Sequence, residues 1–182
     1  KQMITFGAAC VTQQKQAIND LNVFPVPDGD TGTNMSLTIQ TAVNELKKSE
    51  PATVGEAAKI TAGALLRGAR GNSGVILSLL FRGLSKSVKG LTDMDGVQLA
   101  AAMAEGVTTA YGAVMKPAEG TVLTVSRLAA ARAVEAAQEN PSAEYVLEQA
   151  IAAGYETLAQ TIDMNPVLKK AGVVDAGGKG YL

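Results

Sequence analysis

Helical spacing of apolar positions dominates this chain, and segments rich in β-branched residues with clean alternation are scarce. The pattern predicts helices over about 3–19, 34–48, 55–68, 73–88, 95–115, 119–138, 143–160 and from about 177 onward. Start signals sharpen some boundaries. Thr53 with Glu56 has the spacing of a capping box, and Thr92 with Asp95 offers a second. Asn140-Pro141-Ser142 separates the sixth and seventh helices. Glycines within the helical patterns (Gly63, Gly83, Gly106, Gly112, Gly154) each cost about 1 kcal/mol relative to alanine in an exposed helix, a cost offset where they let helix backbones approach closely. Eight short helices rich in small residues and joined by brief loops imply an all-α fold, an eight-helix antiparallel bundle or barrel. Loops at one end of such a bundle converge.

Composition narrows the picture. The 182 residues fit one domain, 1–182, with no internal repeat or low-complexity linker. With 47% hydrophobic but only 4% aromatic residues, the core must be built from Ala, Leu, Val, Ile and Met. A net charge of −1 argues against a nucleic-acid or general polyanion binder. No apolar run approaches the roughly 20 residues that span a bilayer, and no signal peptide is visible. The single cysteine, Cys10, cannot form an internal disulfide; it suits a reducing, cytoplasmic setting and reads as a small core residue of the first helix. The chain starts without Met and stops at Gly-Lys-Gly-Tyr-Leu without a helix-ending signal, so it reads as a fragment of a longer protein.

The absence of histidine has chemical consequences. It removes Ser-His-Asp and Cys-His mechanisms, phosphohistidine and imidazole metal ligands. Carboxylates and neutral oxygens remain, a set that favours Mg²⁺, Mn²⁺ or Ca²⁺ over zinc. The richest tract of that kind is Leu21-Asn-Val-Phe-Pro-Val-Pro-Asp-Gly-Asp-Thr-Gly-Thr-Asn34. Pro25 and Pro27 fix their own φ and push their predecessors toward extended backbone. In an extended segment residues two apart point the same way, so Asp28 and Asp30 are expected to face one spot. A cation between them relieves their repulsion. Thr31, Thr33 and Asn34 add small oxygen donors at the start of a helix, whose free amides and dipole suit phosphate. The same residue types are ordinary turn and cap formers, and alone the tract supports either reading. An EF-hand is excluded: with Asp28 first, the loop would need Gly at 33 and Glu at 39, where Thr33 and Ile39 stand.

Three further tracts break the helical pattern with phosphate-compatible chemistry. Arg67-Gly-Ala-Arg-Gly-Asn-Ser-Gly74 enters an apolar helix that Asn72 or Ser73 can cap, while its amides face an anion. Lys116-Pro-Ala-Glu-Gly-Thr121 enters the next candidate helix, with Thr121 either a cap or a nucleotide donor. Val174-Asp-Ala-Gly-Gly-Lys-Gly180 follows the last break, with Asp175 suited to a cap or to a ribose or base. None matches a dinucleotide fingerprint or a Walker A loop. Arg67, Arg70, Arg82, Lys116, Lys169 and Lys170 read as solvated surface charges, Arg70 being notable for its glycine-rich turn.

Taken together and in this order, the segments 22–35, 68–74, 115–121 and 173–180 resemble the DAK2 (DhaL-like) kinase domain, and in particular the N-terminal ATP-binding domain of bacterial fatty acid kinase. The likeness spans essentially the whole chain. It implies an eight-helix barrel with ATP or ADP at one rim and two Mg²⁺ ions held by aspartates. Carried over by position, Asp28 and Asp30 are the metal ligands. Asn22 stands nearest a third aspartate of the related dihydroxyacetone kinase L subunit, and Thr31 stands where that subunit has a histidine. Thr31, Thr33, Asn34, Asn72, Ser73 and Gly74 should flank the phosphates, and Thr121, Asp175 and Gly177 match the nucleotide-side loops. Lys169 and Lys170 are candidates for a phosphate-contacting cation. No side chain is assigned covalent chemistry. The resemblance implies phosphoryl transfer to a fatty acyl carboxylate presented by a fatty-acid-binding partner protein, with further domains beyond this one and a homodimer compatible. The alternatives are an ADP-binding subunit acting on dihydroxyacetone and a non-catalytic ADP–Mg regulatory module.

Overall fold

In the computed structural model, which describes residues 1–182, every regular element is a helix, as the apolar spacing predicts. The ten helices are α1 (Gln2–Gln13), α2 (Lys15–Asp20), α3 (Thr31–Lys48), α4 (Val54–Gly68), α5 (Gly71–Ser87), α6 (Gly96–Ala113), α7 (Val122–Glu139), α8 (Ala143–Met164), α9 (Pro166–Ala171) and α10 (Ala176–Tyr181). The expectation of eight fails at two places. The helix expected over 3–19 is divided at Gln14 into α1 and α2. The six-residue α9 is too short to register as periodicity, although Asn165 caps it, Pro166 opens it and a left-handed Gly172 closes it.

Caps explain the other boundary shifts. Thr53 Oγ1 accepts the Glu56 amide at 3.1 Å, while the Glu56 carboxylate reaches back to the Ala52 amide rather than to Thr53. Before α6 the capping box is Asp95 with Gln98, so Thr92 is not the cap. Helix α3 starts at Thr31, three residues ahead of expectation, because Asn22 and Asn19 accept its first amides.

Each long helix packs against the next, and α10 closes the circuit by lying against α7, α3 and α2. The short connections place successive helices antiparallel. The interior is aliphatic and alanine-rich. Met35, Ile39, Val43, Leu65 and Leu77 fill the space among α3, α4 and α5. Leu99, Ala129, Ala133, Val146 and Ala150 do so among α6, α7 and α8. Burying a side chain such as Leu65 stabilises the fold by about 1.5–3 kcal/mol. Glycine sets the α5–α6 spacing: a Cβ on Gly106 would lie 2.6 Å from the Leu80 carbonyl oxygen, and one on Gly83 would collide with that of Glu105. Gly63 and Gly112 meet no neighbouring helix backbone. Cys10, expected in the core, is exposed on α1.

The two ends of the bundle differ. At one, the connections 49–53, 88–95 and 140–142 are stitched together by main-chain hydrogen bonds from Val54 to Thr92, Gly55 to Leu91 and Gly96 to Pro141, at 2.7–3.0 Å. At the other, the connections 21–30, 69–70, 114–121 and 172–175 surround a cavity. No helix is long and apolar enough to cross a membrane.

Candidate functional site

The cavity has a volume of about 530 Å³ and is lined from all four tracts that the sequence singles out. Ten of the twelve expected site residues line it: Asn22, Asp28, Asp30, Thr31, Asn34, Asn72, Ser73, Thr121, Asp175 and Gly177. Thr33 and Gly74 do not. The Thr33 hydroxyl accepts from the Asn19 amide, tying α3 to α2. Gly74 is buried against Thr38, leaving no room there for a side chain.

Asp28 and Asp30 reach the cavity by a route other than extended alternation. Gly29 between them has φ +65°, the left-handed region, and Asp30 has helical dihedrals as the N-cap of α3. A glycine is therefore required at 29. The Asp30 carboxylate does not cap its own helix, and neither carboxylate is spent on a hydrogen bond or an ion pair. The capping work falls to Asn22. Its buried carboxamide oxygen accepts the amides of Asp30 and Thr31, both at 3.1 Å, and its nitrogen donates to the Val26 carbonyl at 2.9 Å. Expected as a metal ligand, Asn22 instead has its oxygen committed to main-chain donors and braces the loop that presents the two aspartates. The Thr31 and Thr33 amides of α3 are likewise taken, by Asn22 and Asn19.

The free helix start is that of α5. Its N-cap, Arg70, supplies no side-chain cap, and the first amides of any helix lack an intrahelical acceptor. Gly71, Asn72 and Ser73 of this turn all line the cavity. Gly71 has φ +58°, and a Cβ there would strike the Asn34 carboxamide, so glycine is demanded by both conformation and space. The Arg70 amide donates to Thr38 Oγ1 at 3.1 Å, fixing the turn to α3, while its exposed side chain does not line the cavity.

Thr121 and Asp175, which also line the cavity, are committed groups. Thr121 caps α7, accepting from Leu123 and donating to the Ala118 carbonyl at 2.8 Å. Asp175 caps α10, its buried Oδ2 accepting the Gly178 amide at 2.6 Å. Burial raises the Asp175 carboxyl to about 6, against the opposing pull of the Gly178 and Val122 amides. A residue that sequence reasoning passed over, Glu119, secures the connection between α6 and α7. It accepts from Thr124 (2.7 Å), Arg127 (2.8 Å) and Tyr111 (3.2 Å). The signal was faint, since these partners lie on two different helices, α6 and α7. Lys169 and Lys170, the expected cations, lie on α9 away from the cavity, and Lys169 pairs with Asp163 at 3.1 Å. The cation that does line the cavity is Lys116.

Three carboxylates and one ammonium therefore border this space, opposite in sign to what a phosphate ligand needs. The N-termini of α3, α5, α7 and α10 offset this in part through their dipoles. A polyanion would have to bring cations with it. Asp28 and Asp30 suit such ions: they are hard oxygen donors, uncommitted, and no third Asp or Glu closes a protein cage around them. Mg²⁺ commonly takes one or two carboxylates and fills its remaining positions with phosphate and water.

The chain matches the model of the DAK2 domain over residues 25–182. It belongs to the DAK2 domain family. This DAK2 domain is 48% identical over 180 residues to an uncharacterised protein of Staphylococcus haemolyticus, covering 99% of the chain and 33% of that relative. It is 44% identical over 181 residues to protein YloV of Bacillus subtilis, covering 100% of the chain and 33% of YloV. The chain thus spans about a third of the length of the curated relatives it matches. DAK2 domains are nucleotide-binding modules of the dihydroxyacetone kinase type, and the all-helical bundle described above agrees with that membership.

Proposed function

We propose that this DAK2 domain binds ATP with Mg²⁺ in the cavity at its open end and passes the γ-phosphoryl group to a fatty acyl carboxylate held by a fatty-acid-binding partner protein. The observation that carries the reading is the pairing of two unspent carboxylates, Asp28 and Asp30, with the uncapped start of α5 in one cavity. Asp28 and Asp30 would hold the divalent ions, two in the fullest version of the reading. Bound Mg²⁺ supplies charge neutralisation of the β- and γ-phosphate oxygens. The amides of Gly71, Asn72 and Ser73 would receive phosphate oxygens, and Thr121 and Asp175 would border the nucleoside side.

In the transfer, an acceptor carboxylate oxygen forms a bond to the γ-phosphorus as the bond to the β,γ-bridging oxygen breaks. The products are an acyl phosphate and ADP. No side-chain nucleophile is required, which accords with a chain lacking histidine and with Cys10 on α1. Positioning and electrostatics supply most of the acceleration in reactions of this class.

The test is transfer from radiolabelled ATP to a fatty-acid-loaded carrier protein, with hydroxylamine trapping the acyl phosphate as a hydroxamate. It is run with this chain and in parallel with a full-length relative. Hydroxamate formation that requires the loaded carrier supports the proposal. Label passing instead to dihydroxyacetone would redirect it to the triose reaction. Mg–nucleotide binding without transfer to either acceptor would leave a nucleotide-responsive regulatory module.

A further inference from the structure

The cavity holds one basic side chain, Lys116, and that side chain is unpaired. Lys116 forms no ion pair, although Asp28, Asp30 and Asp175 line the same space. No carboxylate oxygen lies within 4.0 Å of its nitrogen. Arg127, the cation in the same connection's hydrogen-bond network, is taken by Glu119 and does not line the cavity.

The connection that carries Lys116 is pinned just beyond it, at residues 118–121. Glu119 is held by three donors, and the Gly120 amide donates to Thr124 Oγ1 at 2.8 Å. Gly120 has φ +73° and packs against Met164 and Asn165, so its place cannot be taken by another residue without strain. Lys116 and Ala118 line the cavity, while Met115 beside them is 99% exposed. An anchored loop thus delivers a long, flexible point charge to a cavity with three acids and leaves it unpaired.

We infer that Lys116 is the cation that grips the terminal phosphate of the nucleotide, in the cavity it shares with the Asp28–Asp30 pair. This rests on the nucleotide reading of the site and adds to it a residue with a specific task. An ammonium is a compact donor that can follow a phosphoryl group as it moves, and its effect grows with the charge of the phosphate it meets. Only a triphosphate carries a γ-phosphoryl group to reach it, so AMP, ADP and ATP, whose chains extend progressively further, should feel Lys116 to rising degrees.

The test is calorimetric titration, in Mg²⁺, of the wild type, Lys116→Met and Lys116→Arg with AMP, ADP and a non-hydrolysable ATP analogue. Lys116→Met should weaken the analogue at least tenfold, ADP less, and AMP by under twofold. Lys116→Arg should recover most of the lost affinity, and melting temperatures should coincide because the side chain is exposed. Unchanged affinity for the analogue in Lys116→Met would overturn the assignment, and so would equal weakening of all three ligands, or an arginine variant as weak as the methionine one. A wild type that binds no Mg–nucleotide would instead remove the site reading itself, whereas an unaffected Lys116→Met beside inactive Asp28 and Asp30 variants removes Lys116 alone.

Discussion

The two ends of this helical bundle are made of the same materials and finish in opposite states. Each gathers helix starts, short loops, glycines and capping side chains. At the closed end the first amides of α4 go to the carbonyls of Thr92 and Leu91, and that of α6 goes to Pro141. These loops spend main-chain hydrogen-bonding capacity on one another. At the open end Asn22 and Asn19 take the α3 amides, which releases the Asp30 carboxylate from capping, while α5 starts with no side-chain cap. Two unpaired carboxylates and an uncapped helix start that border one cavity separate a site from an ordinary set of turns.

A second contrast lies within the open end, between the free aspartates at 28 and 30 and the committed Asp175. One residue type does two jobs because its surroundings differ: the first pair is held out by a glycine turn, the other is buried between the starts of α7 and α10.

The largest effect should come from removing the free pair. Asp28→Ala and Asp30→Ala are each expected to weaken Mg-dependent nucleotide binding by about a hundredfold or more, roughly 2.7 kcal/mol. Stability should change by no more than about 0.5 kcal/mol, since neither side chain has a protein partner. Calorimetry and thermal melts on the same samples check both halves. Unaltered Mg–ADP affinity in both variants would erase the distinction between free and committed acids.

Next comes the buried acid. With its folded value raised to about 6 from the usual 3.8, Asp175 favours the protonated state in the fold. The native state then binds more protons than the unfolded chain between about pH 4 and 6, so this group's contribution to stability falls as pH rises through that window. The full span amounts to at most about 3 kcal/mol. Asp175→Asn should flatten that part of the stability-versus-pH curve, measured by urea titration at a series of pH values. A curve unchanged by the substitution would place the carboxyl in a wetter setting than its burial indicates.

The smallest of the three concerns the brace. Asn22→Ala leaves the amides of Asp30 and Thr31 without their acceptor, at a cost of about 1–3 kcal/mol. Nucleotide affinity should drop with it, but less than in Asp30→Ala, because both carboxylates remain. Affinity loss equal to that of Asp30→Ala with no loss of stability would return Asn22 to the role of a ligand.

The chain's local patterns carried most of what is secondary in this protein. Apolar spacing, Pro and Gly punctuation and the Ser, Thr and Asp caps depend on neighbours within a few residues, so the long helices, the aliphatic core and the four loop tracts could be read directly. The chemistry of hard oxygen donors without histidine was legible for the same reason. Only the tertiary structure decided how each polar group is spent. Whether Asn22 faces a metal or two amides, whether Lys169 or Lys116 meets the cavity, and whether Thr33 looks inward or toward Asn19 depend on segments distant in sequence. A hydrogen bond across the bundle leaves no local trace, and it is those bonds that determine which donors and acceptors remain for a ligand.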